Sequence, residues 1–264
     1  MSLRRTAFAT SLLLALSVAH AQTSPTHPLN DTGITWSGHA TSGNATSCDA
    51  THPAGQDCQY GRDAAAAAST LPAKTGGSAL NNGIANGFDY TKISNSGTVL
   101  PASAVLGSGP DDWACTRDNV TGLVWEVKVN DVAHLRHMGH TYTWYNTNSP
   151  DGNSGTADGG SCATAGRCDT EKYVQDVNAA NLCGATDWRM PTVKELVGIA
   201  DLGRSNPAID PDYFPNTPSS IVWSGSPSAG YSGYAWGVYF GSGYADNGSL
   251  RSNGNHVRLV RGGQ

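Results

Sequence analysis

The C-terminal part of the sequence combines tyrosines with asparagine, aspartate, arginine and histidine on consecutive turns. This mixture is typical of sugar-binding surfaces, because an aromatic ring stacks on the C–H face of a sugar while planar polar groups hydrogen-bond its hydroxyls. The candidate ligand-binding residues are Tyr234, Tyr244, Asp246, Asn247, Arg251, Asn253, Asn255 and His256. The alternative interpretation is a solvated hairpin rich in tyrosine and asparagine.

Positive charge is also concentrated in this part of an otherwise acidic chain, and it predicts a local basic patch. Its residues are Arg251, His256, Arg258 and Arg261.

Two further segments carry residues that bind metals. His134, His137 and His140 recur at steps of three, although Gly139 makes a stable helix doubtful, so that exposed loop histidines are the alternative to a metal site.

Asp151, Asn153 and Asp158 lie in a glycine-rich loop and offer the oxygen ligands that calcium prefers. The loop departs from the EF-hand pattern, since its fifth position is Gly155 and its twelfth is Cys162. A weak extracellular calcium site is one interpretation, and a flexible disulfide-flanked loop is the other. We therefore predict no cofactor, with calcium as the alternative.

Catalytic motifs are absent from the sequence: no G-x-S-x-G, H-E-x-x-H or P-loop pattern occurs. We expect a binding protein rather than an enzyme.

The N-terminus predicts a secretory signal peptide over residues 1–21. Arg4 and Arg5 precede a short apolar run, and Ala19-His20-Ala21 is a small-x-small cleavage site. No later segment approaches the roughly 20 apolar residues that cross a bilayer. Cleavage would remove two basic residues and no acidic one, changing the formal net charge from −5 to −7. We expect a secreted, periplasmic or cell-surface protein that does not bind nucleic acid.

Six cysteines in an exported chain indicate disulfides, and six allow 15 pairings. Spacing favours two small loops, Cys48–Cys58 and Cys162–Cys168, with Cys115–Cys183 as a long-range bridge. Zinc is the alternative, but the sequence has no C-x-x-C pair.

The elements that must position these residues are short. Glycine accounts for 32 of 264 residues and charged residues for 14%, which favours a loop-rich fold with short strands. Residues 113–128 predict two strands around a turn at 118–122. Helices are predicted from Asp169 or Thr170 to about Leu182 and from Pro191 to Gly203, and the C-terminal segment predicts a closing hairpin or meander. We infer an α+β fold with a flexible leader over 22–47, an irregular N-terminal portion over 48–112 and the main domain over 113–264.

Three ordered motifs resemble the DUF1566 family, also named for the C-terminal domain of the collagen-like adhesin Lcl. They are DNVTGLVWE at 118–126, DWRMPTVKEL at 187–196 and VRLVR at 257–261. The resemblance covers at least 113–262 and implies a compact, disulfide-stabilised α+β domain related to C-type-lectin-like folds. The best-known family member is an adhesin for sulfated glycosaminoglycans. This chain departs from it in lacking a Gly-X-Y stalk and in being acidic.

Most residues of these motifs are expected to hold the fold. We expect Trp125 and Trp188 to pack in the core and Asp187 to cap the turn into the second helix. Arg189 is expected to pair with Glu126 or Glu195.

These observations favour a non-catalytic secreted domain that binds an extracellular glycan or surface ligand. The alternative is a structural or protein-interaction module of the cell envelope, and an enzyme has the least support. The oligomeric state is left open.

Overall fold

The computed structural model describes residues 30–38, 43–45, 61–62, 65 and 87–262. The predicted signal peptide, most of the leader and the predicted Cys48–Cys58 disulfide lie outside these residues. The helices with described bounds are α1 (Thr170–Ala179) and α2 (Val193–Val197). The strands are β1 (Ser37–Gly38), β2 (Asn44–Ala45), β3 (Tyr90–Ser94), β4 (Val99–Leu100), β5 (Trp113–Asp118), β6 (Val124–Glu126), β7 (Ile221–Pro227), β8 (Tyr234–Tyr239), β9 (Tyr244–Leu250), β10 (His256–Val257) and β11 (Val260–Arg261).

One sheet is antiparallel throughout and has the strand order β11-β6-β5-β3-β4. Its β5–β6 hairpin is the one predicted from the sequence. Asp118 closes the turn by accepting hydrogen bonds from the Val120 backbone at 2.9 Å and the Thr121 hydroxyl at 2.6 Å. Gly122 has φ +75°, a conformation that glycine adopts without strain.

The second sheet has the order β10-β7-β8-β9. Its pairs are antiparallel except β10–β7, which is parallel. The predicted closing meander is therefore wrong at its last step: β10 does not pair with β9 but crosses to the opposite edge of the sheet. Two residues later the chain enters β11 of the first sheet, so the C-terminal segment joins both sheets.

Helix α1 begins at the Asp169 N-cap, whose side chain accepts a hydrogen bond from the Lys172 backbone at 2.9 Å. It ends at Ala179, earlier than the predicted Leu182, because Asn181 adopts a left-handed conformation and starts a 3₁₀ turn at Leu182–Gly184.

Helix α2 begins with a capping box formed by Thr192 and Glu195. It is much shorter than predicted. The amides of Ile199 and Ala200 bond to carbonyls only three residues back, and those of Asp201 and Leu202 pair outside the helix, with the Ala208 and Thr32 carbonyls. The expectation that Asp187 caps this helix is wrong, since its carboxylate pairs with Arg261 at 2.6 Å.

The second sheet separates two hydrophobic cores. Successive residues of a strand point to opposite faces, and here Val222 belongs to one core and Trp223 to the other. Trp125 is buried in the first core together with residues of β3, α2 and β8, and Trp188 is buried in the second beside α1.

Disulfides join Cys115 to Cys183 and Cys162 to Cys168. The first connects β5 to the 3₁₀ turn. The protein is thus a small, disulfide-stabilised α+β fold with mostly antiparallel sheets. No helix in the described ranges is both long enough and apolar enough to cross a membrane.

Candidate functional site

Two tyrosines form a platform in the second sheet, one on each side of the turn that joins β8 to β9. Tyr239 and Tyr244 are direct neighbours across the β8–β9 pair, and their ring centroids are 5.4 Å apart. Tyr244 is 56% exposed, although it is a large aromatic residue. Tyr239 is half-buried, and its ring is tilted by 46° to that of Tyr244. We call this pair, in which Tyr244 contributes most of the solvent-facing surface, the tyrosine platform.

The turn between the two strands shapes this platform. A Cβ atom at Gly241 would lie 2.3 Å from the Tyr239 ring, so only glycine lets that ring fold over the turn. At Gly243, with φ +83°, a Cβ atom would lie 2.6 Å from the Leu202 side chain. Leu202 is itself exposed and extends the apolar surface beside the tyrosines.

An acidic residue borders the platform on the same face of the sheet. Asp246 pairs with Gly237, two positions along each strand from the tyrosines, and Gly237 has no side chain to separate them. The Asp246 carboxylate is oriented by the Gly248 backbone at 3.2 Å and the Ser249 hydroxyl at 3.0 Å. The neighbouring Asn247 is exposed. Predicted residues Tyr244, Asp246 and Asn247 are therefore close together.

A second tyrosine pair lies at the other end of β8. The rings of Tyr231 and Tyr234 are 5.9 Å apart, and Tyr231 is 71% exposed. Tyr234 is therefore separated from Tyr244 by the length of the strand, roughly 17 Å at about 3.4 Å per residue.

Arg251 does not belong to an exposed binding surface, contrary to the expectation from its polar neighbourhood. It is 2% exposed, and its guanidinium lies 4.1 Å from the centroid of the Trp144 ring. It donates to Asp151 at 2.5 Å, to the Asn153 carbonyl and to the Tyr234 carbonyl. Arg251 therefore fastens the 146–155 loop to the second sheet.

The predicted basic patch is not present as an exposed cluster. Arg258 is also buried and donates to the Glu126 carbonyl and the Thr217 hydroxyl. Arg261 is paired with Asp187. Arg251 and Arg258 are thus used inside the fold, and Arg261 is engaged in an ion pair at the surface.

Asn255 and His256 lie at the opposite edge of the second sheet. The Asn255 backbone pairs with Tyr142, and the His256 Nδ1 atom lies 3.0 Å from the His140 carbonyl oxygen. Three strand spacings, about 14 Å, separate this edge from β9. Asn253 is exposed in the connection between the two edges. The eight predicted ligand-binding residues therefore do not form one site.

The predicted calcium ligands point to protein groups. Asp151 accepts from Ser149 at 2.6 Å and pairs with Arg251, and these hydrogen bonds lower the pKa of its carboxyl to about 2. Asp158 accepts from the Cys168 backbone at 2.8 Å, and Asn153 donates to the Ser232 carbonyl at 2.7 Å. The Arg251 guanidinium thus supplies the positive charge that a calcium ion would bring to this loop.

The three histidines of the 134–140 segment are not arranged around a common point. The rings of His137 and His140 lie 5.0 Å apart, whereas the His134 Nδ1 atom accepts from the Arg136 backbone at 3.0 Å. Burial lowers the pKa of His134 and of His140. Across the described residues, no group of three or more His, Cys, Asp or Glu side chains is placed to hold a metal.

The sequence did not reveal a buried ionic cluster between the two sheets and α1. Glu126 accepts from Lys128 at 2.7 Å, from the Leu259 backbone at 3.0 Å and from the Tyr173 hydroxyl. Burial lowers the pKa of Lys128 to about 8. Arg189 pairs with Glu195 at 2.6 Å and not with Glu126. Of these contacts, only the pairing of Arg189 was signalled by spacing in the sequence.

A cavity of about 360 Å³ lies beside α1, lined by Trp144, Tyr145, Glu171, Arg189 and Met190 among others. Its charged members are already engaged, Arg189 with Glu195 and Glu171 with the backbone and hydroxyl of Thr147. It therefore offers an apolar surface with little free charge to orient a ligand.

Comparison with known proteins gives one family. The model of the Lcl C-terminal domain family matches residues 114–261. No curated protein and no solved structure gives a match.

Proposed function

The chain belongs to the Lcl C-terminal domain family, and on that premise we propose that it is a non-catalytic domain that binds an extracellular glycan through the tyrosine platform. The observation that carries this proposal is the exposed Tyr244 ring packed against the half-buried Tyr239 ring, with centroids 5.4 Å apart. An exposed aromatic ring packed against a second ring offers a surface on which a partner can stack.

The chemistry of the platform suits a sugar. An aromatic ring presents a flat apolar face to the C–H groups of a pyranose, and a fixed carboxylate accepts hydrogen bonds from its hydroxyls. Asp246 supplies that carboxylate beside the rings, and its own hydrogen bonds hold it in place before a ligand arrives. Exposed Asn247 adds both a donor and an acceptor.

The proposal includes an extracytoplasmic location and a C-type-lectin-like architecture. The N-terminal signal-peptide pattern and the disulfides Cys115–Cys183 and Cys162–Cys168 support export, since disulfides persist in oxidising compartments. Calcium is not required for the tyrosine platform, because neither Asp246 nor the rings depend on a metal for their orientation.

A protein-interaction module is the second candidate, and one observation favours it. Strand β9 lies at the edge of its sheet and most of its residues are exposed. An open edge can pair with a strand of another chain. A partner bound in this way would cover the backbone of β9 and would tolerate changes of its outward side chains.

A glycan array probed with the oxidised mature chain tests the proposal, with and without calcium and at two salt concentrations. We expect binding to neutral or weakly charged glycans that survives high salt, because stacking is not screened as charge attraction is. Tyr244→Ala should reduce the signal at least about tenfold, as the loss of stacked area implies. Tyr231→Ala removes a tyrosine that is even more exposed than Tyr244 and should leave binding unchanged. A blank array would favour the protein-interaction module.

A further inference from the structure

A second cavity, separate from the tyrosine platform, contains a buried cation and has both apolar and polar walls. Its volume is about 460 Å³, within the range of small-molecule sites. It lies between the 133–136 loop and the C-terminal end of α1. Its lining includes Arg136, His134, Asn181, Leu135, Val177 and Leu182, and no acidic side chain among the described residues.

Arg136 is the cation of this cavity. It is 3% exposed and donates from Nη1 to the carbonyl oxygens of Ala114, at 3.1 Å, and of Val127. All of its hydrogen bonds to described residues come from Nη1, so the edge formed by Nε and Nη2 has no such partner. That edge matches the two oxygens of a carboxylate.

The buried cluster of charged side chains that includes Arg136 has more positive than negative charge. Lys128, Arg136 and Arg258 are each less than about a twentieth exposed. Among the residues that the structure describes, Glu126 is the one carboxylate in their buried cluster. No carboxylate of the described residues lies within ion-pair distance of Arg136 or Arg258. Buried charges are usually paired, so this cluster is short of negative charge.

His134 adds a hydrogen-bond donor to the same cavity. Burial and the neighbouring Arg136 lower its pKa, which leaves the ring neutral at pH 7. Its Nδ1 accepts from the Arg136 backbone, so the ring proton is on Nε2. Leu135, Val177 and Leu182 give the cavity an apolar side, and Asn95 and Ser108 add neutral polar groups.

We propose that this cavity binds a small organic carboxylate with an apolar body, its carboxylate on Arg136 and its body against Leu135, Val177 and Leu182. The bound anion would supply the negative charge that the buried cluster lacks. The site is independent of glycan binding by the tyrosine platform.

Titration with phenylacetate, followed by protein-observed NMR or calorimetry, tests the proposal on the full oxidised chain. Phenylacetamide is a neutral probe of the same shape. We expect saturable binding of phenylacetate and binding of phenylacetamide that is weaker by at least about tenfold, as expected for loss of a charge-assisted hydrogen bond in a buried site.

Two variants locate the site. Ala180 lines the cavity but is exposed, so Ala180→Trp should block phenylacetate without disturbing the core. Arg136→Met should remove the preference for the charged probe, and Lys194→Gln, which deletes an exposed cation elsewhere, should change nothing. If Arg136→Met does not fold, the comparison of phenylacetate with phenylacetamide and the Ala180→Trp variant still test the proposal. Equal binding of both probes, no saturable binding, or unchanged binding by Ala180→Trp would overturn the proposal.

Discussion

Glu126 and Lys128 form an ion pair of 2.7 Å in which both side chains are buried. The Tyr173 hydroxyl of α1 bonds to both, donating to Glu126 and accepting from Lys128 at 2.8 Å. Because Glu126 is on β6 and also accepts from the Leu259 backbone, this pair connects the first sheet, α1 and the C-terminal segment.

Glu126→Gln should destabilise the fold strongly. It removes the carboxylate from a cluster that keeps Lys128, Arg136 and Arg258, and leaving buried charge unpaired costs about 3–5 kcal/mol. Lys128→Met is the matched control, since it removes one cation and leaves the carboxylate with other donors. In urea unfolding, Glu126→Gln should therefore lower the free energy of unfolding by about 2 kcal/mol or more beyond the decrease caused by Lys128→Met. Equal losses would mean that the cluster does not lack negative charge.

The two described disulfides should differ in their contribution to stability. Cys115–Cys183 closes a separation of 68 residues and Cys162–Cys168 one of 6. The loss of loop-closure entropy in the unfolded chain then stabilises the fold by about 4 kcal/mol for Cys115–Cys183 and about 2 kcal/mol for Cys162–Cys168. Paired substitutions by alanine, compared by urea unfolding, should preserve this order. If the short bridge mattered more, its role in the 158–169 loop would outweigh chain entropy.

Sequence patterns predicted local features correctly. They failed where a residue's position depends on contacts with residues far away in the sequence. The alternation around Trp125 was sufficient for the β5–β6 hairpin, because a hairpin joins neighbouring segments. Arg251 looked like a surface residue because its partner Asp151 is 100 positions away. The family resemblance identified the domain at 114–261 but not the tyrosine platform.

The placement of Asn255 and His256 shows the same limit. Turn signals before β10 favoured a hairpin with β9, but β10 joins the far side of β7 in parallel. Parallel pairing is selected by packing of the whole sheet, as the burial of Val257 in the second core illustrates. The sequence could therefore predict only the part of the candidate site that lies on the β8–β9 pair.

The Asp151–Arg251 pair should hold the 146–155 loop without calcium. Asp151→Asn would leave the Arg251 guanidinium, which is buried over Trp144, without its carboxylate, and we expect a loss of about 2 kcal/mol because Asp151 is partly exposed. Thermal unfolding of the wild type should be the same in calcium and in EDTA. A clear calcium-dependent rise in Tm would show that the loop also holds a metal.

Asp201 should make the protein less stable as the pH rises from about 4 to 6. Burial raises the pKa of its carboxyl from 3.8 to about 6, although Arg204 pairs with it at 2.9 Å. Between these values the folded state binds the proton more tightly than the unfolded state, so the contribution of Asp201 to the free energy of unfolding falls as pH rises. The full change is about 2–3 kcal/mol.

Asp201→Asn cannot titrate, and its stability relative to the wild type should increase by that amount between pH 4 and pH 7 in urea unfolding. Asp187→Asn is the control, because a hydrogen bond from Arg261 lowers the pKa of Asp187. The Asp187 contribution is present above pH 3.8 and lost only in acid, so the relative stability of Asp187→Asn should change little between pH 4 and pH 7. A relative stability of Asp201→Asn that is constant with pH would mean that Arg204 keeps Asp201 ionised throughout.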